Sequence, residues 1–242
     1  KGRRLLLKQY KVTFYKHSCF QVEDEHNIFL FDWFDDTVPV LDEHKQIYIL
    51  NSHKHGDHYH PCLLQLVDQY PCITFLLSKE IRMPKEDSRF IPVKHSTIYN
   101  LPGKIPLQIE TLRSTDIGVA FLVHYDNTVI YHAGDLNWWS WSGESASWNH
   151  NMEVKFQQSM QHLENLPVHI AFIPLDPRQE ERFCWGLNYF LQHSKAETVF
   201  PMHMWGKLDT VAKWRSQTKN EQWQRIVKDV EREGQQFVVT VS

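Results

Sequence analysis

Apolar residues fall mostly in short runs cut by polar clusters, the signature of buried strands, with helical spacing confined to a few stretches. Tyr10 to Val22 (YKVTFYKHSCFQV) is dense in β-branched and aromatic residues, and Ile28 to Trp33 (IFLFDW) follows the polar EDEHN. The pair predicts strands joined as a hairpin. QIYILNSH, residues 46–53, is another apolar run that stops at a histidine-rich stretch. After it, HPCLLQLVDQYP carries apolar residues at helical spacing with Pro61 near the start, which predicts a helix. TFLLS, STIYN, LQIETLRS, GVAFLVHY and TVIYHAGD supply further strands, several closing on Gly, Asn or Asp. A tryptophan-rich segment comes next, then a helix over roughly Glu153 to Glu164, the strand HIAFIPLD, a helix near Cys184 to His193, the strand TVFPMH, and a final helix and strand. No internal period, low-complexity tract or Gly/Ser linker interrupts this order. The pattern therefore predicts one continuous α/β domain over residues 1–242.

Composition narrows the function classes. With 242 residues, 42% of them hydrophobic, the chain can bury a sizeable core. Its 26 basic and 29 acidic side chains leave a formal charge of −3, which argues against a broad nucleic-acid footprint, because that needs a basic face to displace phosphate counterions. No apolar run approaches the roughly 20 residues that span a bilayer, and the opening KGRRLLLKQY returns to polar residues after LLL, so a cytoplasmic protein without a membrane partner is expected. Cys19, Cys62, Cys72 and Cys184 form no CxxC pair and are expected to be reduced, buried thiols.

The chemistry gathers in NSHKHGDHYHP, residues 51–61. Imidazole and carboxylate are the usual ligands of catalytic metal sites, whereas thiolate-rich sets tend to be closed and structural. In an extended segment residues two apart point the same way, so His53 and His55 can grip one ion. Gly56 lets the chain turn, after which Asp57 and His58 can address a second ion. A surface histidine patch that binds metal adventitiously is the plain alternative. The spacing H-x-H-x-D-H directly after an apolar strand disfavours it.

These residues carry a resemblance. HKHGDH, followed by YHAGD at 131–135 and PMH at 201–203, resembles the metallo-β-lactamase superfamily of metal-dependent hydrolases, and KHSCF followed by IFLFD is similar to its opening hairpins. Within it, the AGD turn most resembles the branch containing L-ascorbate-6-phosphate lactonase. The resemblance implies an αβ/βα four-layer sandwich, two mixed β-sheets face to face with helices outside and the metals at one edge. It also implies that His53 and His55 hold a first ion, that Asp57, His58 and His203 hold a second, and that Asp135 bridges both. One position departs from the family. Many members place a third first-site histidine where this chain reads LRSTDIG. Asp116 as an oxygen ligand, His132, or a water are the candidates there. The place of His132 on its strand suits a role behind the metals or on the substrate.

Two cations about 3.5–4 Å apart acidify a shared water to a hydroxide nucleophile near neutral pH and polarise the substrate oxygen, so the protein need not supply a nucleophile. Asp57 and Asp135 are then the catalytic carboxylates, and a histidine free of metal could protonate the leaving group. Metal-bound histidines need a partner for the second ring nitrogen; Asp32, closing IFLFD, is either that acceptor or a solvated turn aspartate. In DLNWWSWSGESASW, Trp138, Trp139, Trp141 and Trp148 form either a stacking wall for substrate or core packing. Arg178 in IPLDPR either clamps an anion or pairs with Asp176. The leading expectation is a dinuclear metal-dependent hydrolase opening an ester, lactone or phosphoester bond of a small anionic metabolite, with zinc as the expected ion and manganese or iron as alternatives. A nuclease or phosphodiesterase of the same superfamily, and a non-hydrolytic metal-binding or diiron redox protein, are the other readings.

Overall fold

The apolar runs become strands of two sheets. The computed structural model describes residues 7–103 and 105–241. In chain order its strands are β1 (Lys8–Lys16), β2 (Cys19–Glu23), β3 (Asn27–Phe31), β4 (Gln46–Asn51), β5 (Ile73–Ser78), β6 (Phe90–Val93), β7 (Thr97–Leu101), β8 (Leu107–Arg113), β9 (Val119–Tyr125), β10 (Thr128–His132), β11 (Pro167–Pro174), β12 (Lys195–Met202) and β13 (Gln236–Val241). One sheet runs β13-β1-β2-β3-β4-β5-β6 and the other β12-β11-β10-β9-β8-β7. Both are mixed: β13 through β3 pair antiparallel and β3 through β6 parallel, while β7 through β10 pair antiparallel and β10 through β12 parallel.

Alternation along the strands explains the layers. In β3 and β4, Phe29, Phe31, Tyr48 and Leu50 belong to the core shared with the second sheet, and the intervening Ile28, Leu30, Ile47 and Ile49 belong to a separate core on the outer face. A strand buried on both faces must be apolar throughout, which is why QIYIL shows no polar alternation. Between the sheets Phe20 meets Phe172 at 4.5 Å between ring centroids, and the Tyr10 hydroxyl donates to Thr128 Oγ1 at 3.0 Å.

Five helices flank the sheets among the described residues: α1 (Leu66–Gln69), α2 (Ala146–Gln161), α3 (Trp185–His193), α4 (Thr210–Gln217) and α5 (Glu221–Ile226). Phe156 and Met160 of α2 and Leu187 and Phe190 of α3 join the larger core, with Phe190 stacked on Tyr131 of β10. The outer core is closed by Leu63, Leu66 and Tyr70. The expected two mixed sheets flanked by helices are present. No described helix is long and apolar enough to cross a membrane.

Several element expectations are corrected. The stretch Tyr10 to Val22 is two strands, broken where His17 takes a positive φ of 50°. The helix expected after the histidine cluster is a 3₁₀ turn over Pro61–Gln65 followed by the single turn α1. The helix expected from Glu153 begins at Ala146, because Ser145 caps it by accepting a hydrogen bond from Trp148 N. The final helix is two, α4 and α5. β6 is a strand that was not among those expected. All four cysteines are free, but only Cys19 and Cys62 are buried and Cys72 is exposed.

Candidate metal centre

Parallel strands that end at one edge deliver the polar residues. Asp32 follows β3, His53 to His58 follow β4, Asp135 follows β10, Asp176 follows β11 and His203 follows β12. Two glycines let the sheets close on one another there. Gly118 has φ +79°, and a Cβ on it would lie 2.1 Å from the Ser52 carbonyl oxygen and 2.6 Å from His53 Cβ. Gly134 has φ +52°, and its Cβ would fall 2.6 Å from that of Ser52. Ser52 is thus held between two backbones, and Val119 N donates to its carbonyl at 3.0 Å.

Hydrogen bonds fix which nitrogen of each histidine faces the centre. Asp32, fully buried at φ 48°, accepts from Ser52 N at 2.6 Å and Ser52 Oγ at 2.7 Å. The Ser52 hydroxyl, having spent its proton, accepts from His53 Nδ1 at 2.9 Å. His58 Nδ1 donates to Asp32 Oδ2 at 2.7 Å and His203 Nδ1 to Asp176 Oδ2 at 3.0 Å. Each ring therefore turns its Nε2 toward the same space. Asp135 Oδ1 stands 3.1 Å from His58 Nε2 and 3.2 Å from His203 Nε2, and its Oδ2 stands 3.4 Å from His53 Nε2. Asp32 is the buried acceptor foreseen for a ring nitrogen; Asp176 serves His203 in the same way.

The Nε2 atoms of His17, His53, His58 and His203 and Asp135 Oδ1 are buried without a hydrogen-bond partner. Leaving a buried polar group unpaired costs about 1–3 kcal/mol, so five in one space call for a common partner. Nitrogen lone pairs around a carboxylate fit a divalent cation. Ligand atoms within 4.8 Å of one another form the groups His53–His55–Asp57, His55–Asp116–Asp135, His53–His58–Asp135 and His17–Asp57–His58–His203. All seven residues expected to ligate metal converge here. Asp116 comes from the loop between β8 and β9 and is exposed; it also lines a wider cavity of about 740 Å³ beside Arg113 and Lys155, so its carboxylate is open to solvent where Asp135 is not.

Electrostatics follow from this packing. Burial alone would depress His58 and His203, yet the carboxylates of Asp135, with Asp32 at His58 and Asp176 at His203, hold both above their ordinary value. Asp135, despite burial, is held well below the carboxylate range by His58 and His203. His53, buried beside His58, falls to about 4. Asp116 is raised by partial burial and then by Asp135.

His17 is the residue that sequence reasoning missed. It sits in the β1–β2 turn, its Nε2 is 3.4 Å from Asp57 Oδ2, and its carbonyl accepts from His203 N at 3.1 Å. The polar break KHS inside an apolar run was the available signal.

The substrate residues divide. A cleft of about 290 Å³ opens on the centre, and Trp139, Trp141, Trp148 and Arg178 line it. Trp139 Nε1 donates to the Asp135 carbonyl at 3.0 Å and its ring stacks on Trp141 at 5.7 Å. Arg178 makes the expected ion pair, with Nε 3.0 Å from both Asp176 oxygens, and also lies 4.2 Å over the Trp205 ring on the cleft wall. Two expectations are corrected. His132 is fully buried, with Nε2 donating to the Ser18 carbonyl at 2.9 Å and Nδ1 accepting from Gly134 N at 3.2 Å, so it ties two turns together behind the centre and has no free edge for substrate. Trp138 packs instead against Trp185, Tyr189 and Phe156, away from the cleft.

Neither a family model nor a curated protein sequence matches the chain. Solved structures do. Igni18, described as a novel metallo hydrolase from the archaeon Ignicoccus hospitalis, superposes with a TM-score of 0.62 at 17% identity, covering 97% of this chain and 100% of that one. The metallo-β-lactamase fold protein YhfI of Bacillus subtilis gives 0.52 at 13% identity, over 97% and 100%. CmlA, a diiron β-hydroxylase from Streptomyces venezuelae, gives 0.53 at 11% identity; 97% of this chain spans 54% of that longer protein. At such identities the likeness establishes the metallo-β-lactamase fold.

Proposed function

We propose that the protein is a dinuclear metal-dependent hydrolase that opens an ester, lactone or phosphoester bond in a small anionic metabolite. One observation carries the reading: the buried, partnerless Nε2 atoms of His53, His58 and His203 arranged around Asp135. In this reading His53, His55 and Asp116 would hold one cation, Asp57, His58 and His203 would hold the other, and Asp135 would serve both. Two cations so held supply Lewis acidity toward the substrate oxygen and acidify a water near neutral pH. The chain does the rest. Asp32 and Asp176 fix the ring orientations of His58 and His203, Asp57 is placed to orient the attacking water, and His17, 3.4 Å from Asp57, is placed to move a proton there. Arg178 and the indoles of Trp139 and Trp141 bind the substrate's anionic part in the cleft. Zinc suits the imidazole-rich set, and the Asp116 oxygen gives manganese or iron a place. The resemblance of the turn Ala133-Gly134-Asp135 to that of ascorbate-6-phosphate lactonase-like sequences makes lactones and sugar phosphates the first substrates to try.

The test loads the protein in turn with zinc, manganese and iron, measures metal per chain, and screens phosphodiesters, phosphomonoesters and lactones with the same preparation. Two ions per chain and chelator-sensitive hydrolysis of one class are expected. Turnover that survives complete chelation, or a chain that takes up no metal, rejects the reading. A diiron oxidation chemistry is the second reading, favoured by the likeness to CmlA; iron uptake with an oxygen-dependent optical change and no hydrolysis of any ester would select it.

A further inference from the structure

A second cavity, of about 260 Å³, adjoins the centre on the other side of Trp205. Asp57 and Trp205 line both spaces, so the two cavities lie on either side of these residues. Their walls differ in kind. The first presents Asp116, Asp135 and Arg178; the second is walled mainly by Phe14, Phe34, Met204, Trp205 and Leu208, with His17 and the exposed Glu233 also lining it. Lys16, at its rim, is already answered by an ion pair with Asp35. An apolar cavity of about 150 Å³ admits a benzene ring, so this one has room for a ring with substituents or a short acyl chain.

The dividing wall is built at a cost. His203 and Trp205 both take positive φ, 64° and 53°, a conformation that disfavours non-glycine residues by roughly 1–2 kcal/mol each. That backbone turns His203 into the centre and Trp205 outward, leaving the indole 44% exposed. Arg178 covers Trp205 at 4.2 Å from the ring centroid, and the His17 ring lies 4.7 Å away.

We infer that the second cavity is a subsite for an apolar aryl or short acyl group of the substrate, with Trp205 as the specificity-determining divider between that group and the anionic part held near Arg178. The inference rests on the hydrolase reading for the contents of the first cleft. An ester or phosphoester has two substituents flanking one reactive centre, and Asp57 lines both cavities. Transfer of a phenyl group from water into an apolar wall is worth a tenfold or larger gain in affinity at about 25 cal/mol/Å².

Calorimetry on the metal-loaded protein compares phenylphosphonate with methylphosphonate, and saturation-transfer NMR follows benzyl alcohol, an uncharged probe that needs no metal. Leu208→Trp fills the cavity and Leu208→Glu places a charge in it, so two unlike changes probe one space. Phenylphosphonate is expected to bind the native protein at least tenfold tighter than methylphosphonate, and both variants to lose that advantage and the benzyl alcohol signal while still binding methylphosphonate. Equal affinity for the two phosphonates, or an advantage that survives both substitutions, overturns the subsite. If benzyl alcohol binds the native protein alone and neither phosphonate binds at all, the subsite stands and the hydrolase reading falls.

Discussion

Asp135 is the residue on which the centre turns, because three histidines face its carboxylate and none of them has another partner for Nε2. Asp135→Asn keeps the shape and removes the charge. Elemental analysis of that variant is expected to show at least one ion lost per chain, with the fold intact by circular dichroism; full occupancy would remove Asp135 from the ligand set. In the proposed site, the role of Asp116 would be metal preference. Its carboxylate lies within 4.8 Å of ligand atoms of His55 and Asp135. Asp116→His, exchanging oxygen for nitrogen, is expected to raise zinc affinity relative to manganese, measured by competition, since imidazole suits zinc and carboxylate suits manganese. An unchanged ratio would place Asp116 outside the coordination sphere.

At the scale of elements, two glycines decide whether the sheets can meet. A Cβ at Gly118 collides with the Ser52 backbone and with His53, whereas Gly234, with φ +72°, has nothing within 4 Å of its Cβ. Gly234→Ala therefore carries only the left-handed backbone cost, about 1–2 kcal/mol. Gly118→Ala carries that and a displaced His53, so chemical denaturation is expected to show a loss well above 2 kcal/mol together with weaker metal binding. Equal losses for the two would mean the close approach at Ser52 is soft. The early start of α2 has its cause at this scale: the Ser145 cap lies inside a tryptophan-rich segment without apolar periodicity, so nothing before Glu153 announces α2 except one serine.

For the whole molecule, the centre links metal, pH and stability. His58 and His203 are held above their ordinary value by carboxylates, so in the metal-free protein their pairing with Asp135 contributes stability that is full below about pH 6.5 and is lost as pH rises through the folded values. Asp135 works in the opposite sense: held low, it contributes above its unfolded value near pH 4 and loses that contribution only in acid. Metal competes with the protons on the histidines. The gap in melting temperature between metal-loaded and metal-free protein is therefore expected to widen from about pH 6 to about pH 8.5, reaching roughly 10 °C at a thousandfold excess over Kd. Calorimetric scans across that range check it, and a gap that narrows with rising pH would show that the histidines do not hold the metal.

What the chain alone determines is local. The alternation and apolar runs of IFLF and QIYIL demand strands, and H-x-H-x-D-H after a strand demands chemistry at its end, because two-residue spacing and a glycine turn act over a few ångströms of backbone. The cluster at His53 to His58 was legible for that reason, whereas Asp135 and His203 were marked by the resemblance of YHAGD and PMH to the metallo-β-lactamase superfamily. Tertiary structure decided what distance along the chain conceals. His17 lies 40 residues or more from Asp57 and 186 from His203, and only the docking of the β1–β2 turn brings it to them. His132 and Trp138 have the chemistry of site residues, yet side-chain direction sends one into a buried hydrogen-bond pair and the other under α2 and α3. Trp205 shows no periodic signal at all; a strained turn that exists only in the folded chain sets it between two cavities. Composition and spacing are read along one dimension, whereas burial, hydrogen-bond partners and cavity walls are properties of contacts between segments remote in sequence.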